Sequence, residues 1–412
     1  MGKAVRTTEK SSFILFWCLF FIYTSNIIGK TSFSAATVAL INEELLTKTQ
    51  AGLISGAYWF IYAAGQLVGG FLVNRISPYL CLNISIIGSA LSNLLIIGAD
   101  GFLPMLVIWS LGSAAQFGLW PAVLKLVSTE IVPRQRMMAM GRLAFCYCLG
   151  SILSYVFTAT ILAVTSWEYI FVLCGLVNVI VLPLSIFSSS RLSPALRCEE
   201  EEAVQDAGKS EKMTWRVVAS SGLVFFCILM VIKAVVDNGI KSWMPPIMME
   251  TYGATPSYTS LLSVVLLVIN IFGVLVSHFI YDKTKCDELK TLIILYTAIV
   301  PMIVTLLGFR SLNIYFVTIL MSFITLLVYG SGQILQMNYP GRFHAYGLTA
   351  TVGGIINCFA ALGNVIATYG GGYIADNFGW DVMIGVWNVL LLAFVVIAVA
   401  MLPMWRKFRR KE

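Results

Sequence analysis

The sequence predicts an all-α membrane protein with twelve transmembrane helices, built as two six-helix bundles related by a pseudo-two-fold axis. Three observations lead there. Hydrophobic residues make up 58% of the chain and charged residues only 11%, against roughly 45 to 50% and about 25% in soluble domains. One long run, Ser188 to Thr214, is too polar to sit in oil and contains four consecutive glutamates, Glu199 to Glu202. The apolar sequence on its two sides is of nearly equal length and repeats its landmarks at nearly one spacing.

Taken in chain order, the apolar stretches are bounded by charges and by Pro and Gly clusters. A helix crosses the hydrocarbon on about 20 mostly apolar residues. Spans are therefore expected near 11–39, 51–74, 79–98, 102–130, 138–164 and 167–187 in the first half. In the second half they fall near 215–248, 257–281, 289–308, 312–338, 345–375 and 380–404. These stretches are too long and too uniformly apolar for barrel strands, which show about ten alternating residues, and backbone in lipid must satisfy its own hydrogen bonds. The organisation is an N-terminal half, 1–187, a cytoplasmic linker, 188–214, and a C-terminal half, 215–412. The linker's composition suits a solvated tether outside any binding site.

Lys and Arg set the orientation. With a cytoplasmic N-terminus, the inner side receives Lys3, Arg6, Lys10, Arg75, Arg134, Arg136 and Arg142, then Lys283, Lys285, Lys290, Arg342 and the basic tail from Arg406 to Lys411. The outer side holds little beyond Lys48, Lys241 and Arg310. The positive-inside rule then places both termini in the cytoplasm of a multi-pass plasma-membrane protein. The net charge of +7 follows from this bias and from anionic lipid headgroups, so nucleic acid is not an expected partner. No signal-peptide cleavage pattern follows the N-terminus. The nine cysteines lie mostly inside spans, without the spacing of a metal site or disulfide frame, and neither a metal nor a cofactor is expected. His278 and His344 fall at predicted helix ends.

The internal repeat is visible in two landmarks. Gly65 is followed, after eight residues, by Asn74 and Arg75; 208 residues later Gly273 is followed, after eight residues, by Asp282 and Lys283. Trp167 and Glu168 open the sixth span, and Trp380 and Asp381 open the twelfth, 213 residues on. Duplication of a six-helix unit is a feature of transporters. Asn74, Arg75, Asp282 and Lys283 are candidate gating residues, because charge on a short loop can meet a helix end or a carboxylate.

Six plus six spans, a long central loop, and an acidic or amide residue followed by a basic one after spans 2 and 8 resemble the major facilitator superfamily across essentially the whole chain. Several stretches are similar to the organophosphate:phosphate antiporters: YTSNIIGKTSF in the first span, GLWPAVLK in the fourth, NGIKSWMPPIM ending the seventh, and GGYIADNFGWD between the last two. The resemblance implies an arginine on each of helices 1 and 7 that clamps a substrate phosphate. Here those places carry Lys30 and Asp237, and Gln66 and Tyr147 stand where family members place a lysine and a histidine.

Charges inside spans are costly in lipid and mark cavities or pairs. Lys30 is the sole charge between Lys10 and Glu43; Lys233, Asp237 and Lys241 lie between Arg216 and Glu250. Lys30 and Asp237 are 207 residues apart, the repeat offset, and are expected to face each other across a cavity. Two local alternatives stand beside this: Lys30 snorkelling to the surface, and Asp237 pairing with Lys233 on one helix face. Lys125 in span 4 and Lys233 are further sources of positive potential. Tyr23, Asn26, Tyr62, Gln66, Gln116, Trp120 and Tyr147 in the first half, with Asn270, Tyr329, Gln333 and Asn357 in the second, are candidate cavity residues or interhelical hydrogen-bond residues.

The expected function is secondary active transport by alternating access, without covalent chemistry. The cargo is a small polar organic anion or zwitterion, a phosphate ester or carboxylate among them, moved by exchange for a counter-substrate or with a coupling proton on Asp237. A monomer is expected. An exporter of amphipathic cations and a transporter-like membrane receptor are the alternative readings.

Overall fold

The computed structural model describes residues 2–73, 75–192, 221–343 and 349–409; Asn74, His344 and Glu199 to Glu202 lie outside them. Every regular element described is helical. In the first half these are α1 (Gly2–Asn42), α2 (Lys48–Leu72), α3 (Pro78–Leu95), α4 (Phe102–Ala115), α5 (Leu119–Glu130), α6 (Pro133–Leu162) and α7 (Glu168–Phe187). The second half contains α8 (Leu223–Tyr252), α9 (Pro256–Lys283), α10 (Glu288–Leu306), α11 (Ile314–Gln333), α12 (Thr349–Val365) and α13 (Gly371–Arg409).

Three departures from regular helix turn these elements into twelve spans. A 3₁₀ turn over Gln116–Gly118 joins α4 to α5 in one span, at a place where Pro121 has no N–H to give to a preceding carbonyl. A π turn, Ile366–Gly370, joins α12 to α13. α13 is itself two helices that meet at Gly379, whose φ of 81° and ψ of 175° suit glycine and no L side chain. Ten described segments are long and apolar enough to cross a bilayer; the last of them, Val352–Arg409, contains that break and counts as two spans. The 25-residue α2 makes the twelfth. Large apolar side chains such as Leu111 (66% exposed), Ile180 (72%) and Val396 (67%) point outward, far more than a water-soluble surface carries.

Two compact units emerge: Met1–Leu40 with Phe60–Gly208, and Ile41–Trp59 with Lys209–Glu412. The first turns of α2 thus belong with the second unit. They are held there by Lys48, whose Nζ is 2.9 Å from Glu250, by Thr49, whose N–H and hydroxyl both reach Asp376, and by the bare backbone of Gly52 against Thr368.

Packing inside each unit repeats. In the first, α3 lies along α7; in the second, α10 lies along α13, which is the equivalent pair of spans. Close approaches repeat to the residue. A Cβ on Gly150 of α6 would come within 2.7 Å of Ile27 Cβ and 2.9 Å of the Thr24 carbonyl oxygen on α1. A Cβ on Gly363 of α12 would come within 2.6 Å of Ala234 Cβ and 2.8 Å of the Val231 carbonyl oxygen on α8. Thr24 and Ile27 precede Val231 and Ala234 by 207 residues, and Gly150 precedes Gly363 by 213. The second is the offset from Trp167 to Trp380; the first is one residue short of the 208 between Gly65 and Gly273 and equals the offset between Lys30 and Asp237.

Candidate functional site

In the first unit α1 runs unbroken past Lys30 to Asn42, so Lys30 sits well inside the span Lys10–Asn42 and not at its surface end. Gly29, just before it, has no room for a Cβ against Ser89 and Asn178, which fixes α1 on α3 and α7 at this depth. The Lys30 ammonium lies 3.7 Å from the ring centroid of Tyr62, within the range at which an aromatic face attracts a cation. Below it, the Tyr23 and Trp120 rings meet at 5.2 Å, and Trp120 and Tyr147 pack on the core cluster that includes Tyr23.

The amides of the list have a different job. Asn26 and Gln116, both buried, donate to the carbonyl oxygen of Ser85 at 3.2 and 3.3 Å. Gln66 donates to the Gln116 carbonyl at 3.2 Å, and the Ser85 hydroxyl donates to the Ala115 carbonyl at 2.9 Å. Gln66 and the Ser85 hydroxyl thus satisfy carbonyls at the 3₁₀ turn, which lipid cannot do, while Asn26 and Gln116 tie α1 and the turn to α3 through Ser85. Lys125 donates to the Val73 carbonyl at 2.8 Å, just beyond the last turn of α2, where a cation also suits the helix dipole.

In the second unit the centre is a triad on one face of α8. Asp237 Oδ2 lies 2.8 Å from Lys233 Nζ, and its Oδ1 lies 2.6 Å from Lys241 Nζ, each lysine four residues away. Lys233 and Asp237 are each only 7% exposed. The local alternative of the sequence reading is therefore the arrangement found, with a second lysine added. Lys241, counted there both among the outer charges and among the charges inside the seventh span, is inside α8 and half-buried. The spacing Lys-x₃-Asp-x₃-Lys was the signal that could have placed it. Tyr329 on α11 lies 4.5 Å from Lys241 and 5.8 Å from Lys233, measured to its ring centroid. Gly332, one turn on, leaves space for the Lys233 side chain: a Cβ there would be 3.3 Å from both its Cε and Nζ. Gln333 follows half-buried. Asn270 accepts from Thr325 at 2.9 Å and ties α9 to α11, and Asn357 is exposed on α12.

The described gating candidates, Arg75, Asp282 and Lys283, are exposed. His278 stands 3.8 Å from Asp282, and Lys283 lies over the Phe279 ring at 5.4 Å. Buried charge contacts at these helix ends fall on residues the sequence reading did not single out. The Glu130 carboxylate accepts from the Tyr79 hydroxyl at 2.6 Å. Glu288, fully buried, accepts from Tyr281 at 2.9 Å and from Arg342 at 2.6 Å. Asp287 caps α10, accepting from the Lys290 N–H at 3.2 Å, and pairs with Lys290 and Arg409. Burial alone would raise the Asp287 carboxyl, but these hydrogen bonds and charges hold it below its usual 3.8. An acidic pair just before an apolar run was the available signal.

The chain matches the Major Facilitator Superfamily over residues 19–368. It belongs to that superfamily. Among similar proteins, a probable hexose phosphate transport protein of Chlamydia trachomatis is 21% identical, over 95% of this chain and 90% of its own length. A hexuronate transporter of Bacillus subtilis is 22% identical over 90% of this chain and 89% of its own. The fold is that of a solved D-xylose-proton symporter, at a TM-score of 0.72 with 14% identity, covering 96% of this chain and 97% of that one. As a member of this superfamily the protein is a membrane transporter of a small-molecule substrate. Where the organophosphate resemblance implies one arginine on each of helices 1 and 7, this member carries Lys30 deep in α1, and Lys233, Asp237 and Lys241 deep in α8. Between Lys10 and Glu43 on the one side, and between Arg216 and Glu250 on the other, the charges inside the span thus sum to one positive charge in each half.

Proposed function

We propose that this protein carries a small organic anion of the sugar-acid or sugar-phosphate class across the plasma membrane by alternating access. The observation that carries the reading is the charge balance inside the two spans: Lys30 on α1 and the Lys233–Asp237–Lys241 triad on α8, with Lys30 and Asp237 lying 207 residues apart, each set flanked by a tyrosine ring. Positive potential recognises a carboxylate or phosphate, and lysine does so as a point charge without the planar fork of arginine. The rings offer apolar faces to a sugar. The names of the hexose phosphate and hexuronate relatives support the same class. A net positive charge deep inside both spans disfavours the alternative cargo, an amphipathic cation. The bias of Lys and Arg supports cytoplasmic termini, and the protein works as a monomer driven by a proton or a counter-substrate.

The test is uptake of labelled glucuronate and glucose 6-phosphate into proteoliposomes, with tetraphenylphosphonium as a cationic comparison. Saturable uptake of an anion that Lys30→Ala reduces at least tenfold supports the reading. Uptake of the cation with neither anion moving would sink it.

A further inference from the structure

A carboxylate in an anion site repels the cargo unless cations hold it, and Asp237 sits between two ammonium groups at 2.6 and 2.8 Å. Its two oxygens present to Lys233 and Lys241 the same chemistry that a substrate carboxylate or phosphate would present. We propose that Asp237 is a resident counter-anion: it occupies the lysines of α8 when substrate is absent, and so lets the empty carrier return without a counter-substrate. This rests on the reading of the cargo as a small organic anion.

The geometry says which lysine is exchanged. Lys233 is the more enclosed, its side chain 9% exposed against 16% for Lys241, and its Cε and Nζ lie against the backbone of Gly332. Lys241 is held by the other oxygen, Oδ1, and stands nearer the Tyr329 ring, at 4.5 Å. An arriving anion takes Lys241 from Oδ1 while Lys233 keeps Oδ2 charged and in place. When the anion leaves, Oδ1 recaptures Lys241 through a contact of neighbouring helical turns that needs only a side-chain rotation. A pair of buried ammonium groups without a counter-charge is strongly unfavourable in a water-poor site. Without Asp237 the site would close readily only around a bound anion, which is the condition for strict exchange. With Asp237 each ammonium group keeps a carboxylate oxygen beside it in the closed empty state, and net transport is open to the carrier.

The experiment compares two modes in proteoliposomes with [14C]glucuronate as probe and glucose 6-phosphate as second probe. Net uptake is measured into vesicles free of internal substrate, with potassium and valinomycin to cancel charge build-up. Exchange is measured into vesicles preloaded with the unlabelled probe. Asp237→Asn, Asp237→Ser and Asp237→Glu are run beside the parent, with melting temperatures taken in detergent. The parent is expected to show both modes. The ratio of net uptake to exchange is expected to fall at least tenfold in Asp237→Asn and Asp237→Ser, and to stay within threefold of the parent in Asp237→Glu. A parent that only exchanges overturns the inference. So does an unchanged ratio in Asp237→Asn, loss of both modes in a variant that melts like the parent, or failure of both neutral variants to fold, which would make Asp237 a structural residue. If neither probe moves in either mode in the parent, the cargo reading fails first and the inference falls with it.

Discussion

Adding one methyl group at Gly150 or at Gly363 tests the repeat at the level of atoms. At Gly363 the new Cβ would stand 2.6 Å from Ala234 Cβ and 2.8 Å from a backbone oxygen; at Gly150 the distances are 2.7 Å to Ile27 Cβ and 2.9 Å to a backbone oxygen. Ordinary contact begins near 3.4 Å, so in each variant one helix must retreat by roughly half an ångström or more from a neighbour that is backbone and cannot rotate away. Overpacking of this kind costs about 1–3 kcal/mol. Replacing a helical glycine by alanine returns up to ~1 kcal/mol, which leaves a net loss on the order of 1 kcal/mol for each. Gly385, whose added Cβ meets nothing within 4 Å, keeps the helix-propensity gain alone. Thermal unfolding of purified protein in detergent should therefore rank Gly150→Ala and Gly363→Ala together below the parent, and Gly385→Ala level with it or above. If Gly150→Ala and Gly363→Ala melt like Gly385→Ala, the close approach of α6 to α1 and of α12 to α8 is wrong. If just one of them falls, the two halves do not share this contact.

Three further outcomes are expected. Lys30→Arg should keep measurable anion uptake while Lys30→Met loses at least tenfold, because the charge over Tyr62 is what the first unit contributes; equal uptake by Lys30→Met and the parent would contradict this. Arg342→Ala should destabilise by about 3 kcal/mol, the usual scale for stranding a buried charge, since Glu288 is fully buried and loses its 2.6 Å partner; Arg342→Ala combined with Glu288→Gln should recover much of that loss in the same melting assay. The Asp287 carboxyl is depressed in the folded protein, so the unfolded chain binds the proton first. The stability it contributes is present above the unfolded value, about 3.9, and is lost as pH falls through the lower folded value. Asp287→Asn should flatten the melting temperature against pH below about 4 relative to the parent, and parallel curves would refute the assignment.

Much of the fold was legible because its signals are local. Twelve apolar runs and two landmark offsets, 208 and 213, can be read along the chain, and offsets of 207 and 213 relate the contact of Gly150 with Ile27 to that of Gly363 with Ala234. The continuation of α1 past Lys30 was likewise written in the uncharged run that follows it. The site was legible in its members more than in its pairings. Asp237 and Lys233 four residues apart were open to the sequence reading as a local pair; Lys241 was named among the charges inside the span, but its pairing with Asp237 was missed because it was also counted as an outer charge. Glu130, Asp287 and Glu288 went unnoticed for a different reason. A carboxylate is buried only by virtue of partners such as Tyr79, Trp405 and Arg342, which are 51, 118 and 54 residues distant, and no periodicity announces them.

The corner at Gly379 has a practical consequence. The chain ends one membrane crossing and begins the next on a single left-handed residue, so there is no slack there to absorb added length. An epitope tag or protease site inserted at that corner must unwind a helical turn on one side or pull Trp380 from Glu250, its hydrogen-bond partner at 2.8 Å. Topology mapping by inserted reporters should therefore avoid it, and a cysteine substituted for the neighbouring exposed Phe378, 61% open, offers a labelling position without lengthening the chain.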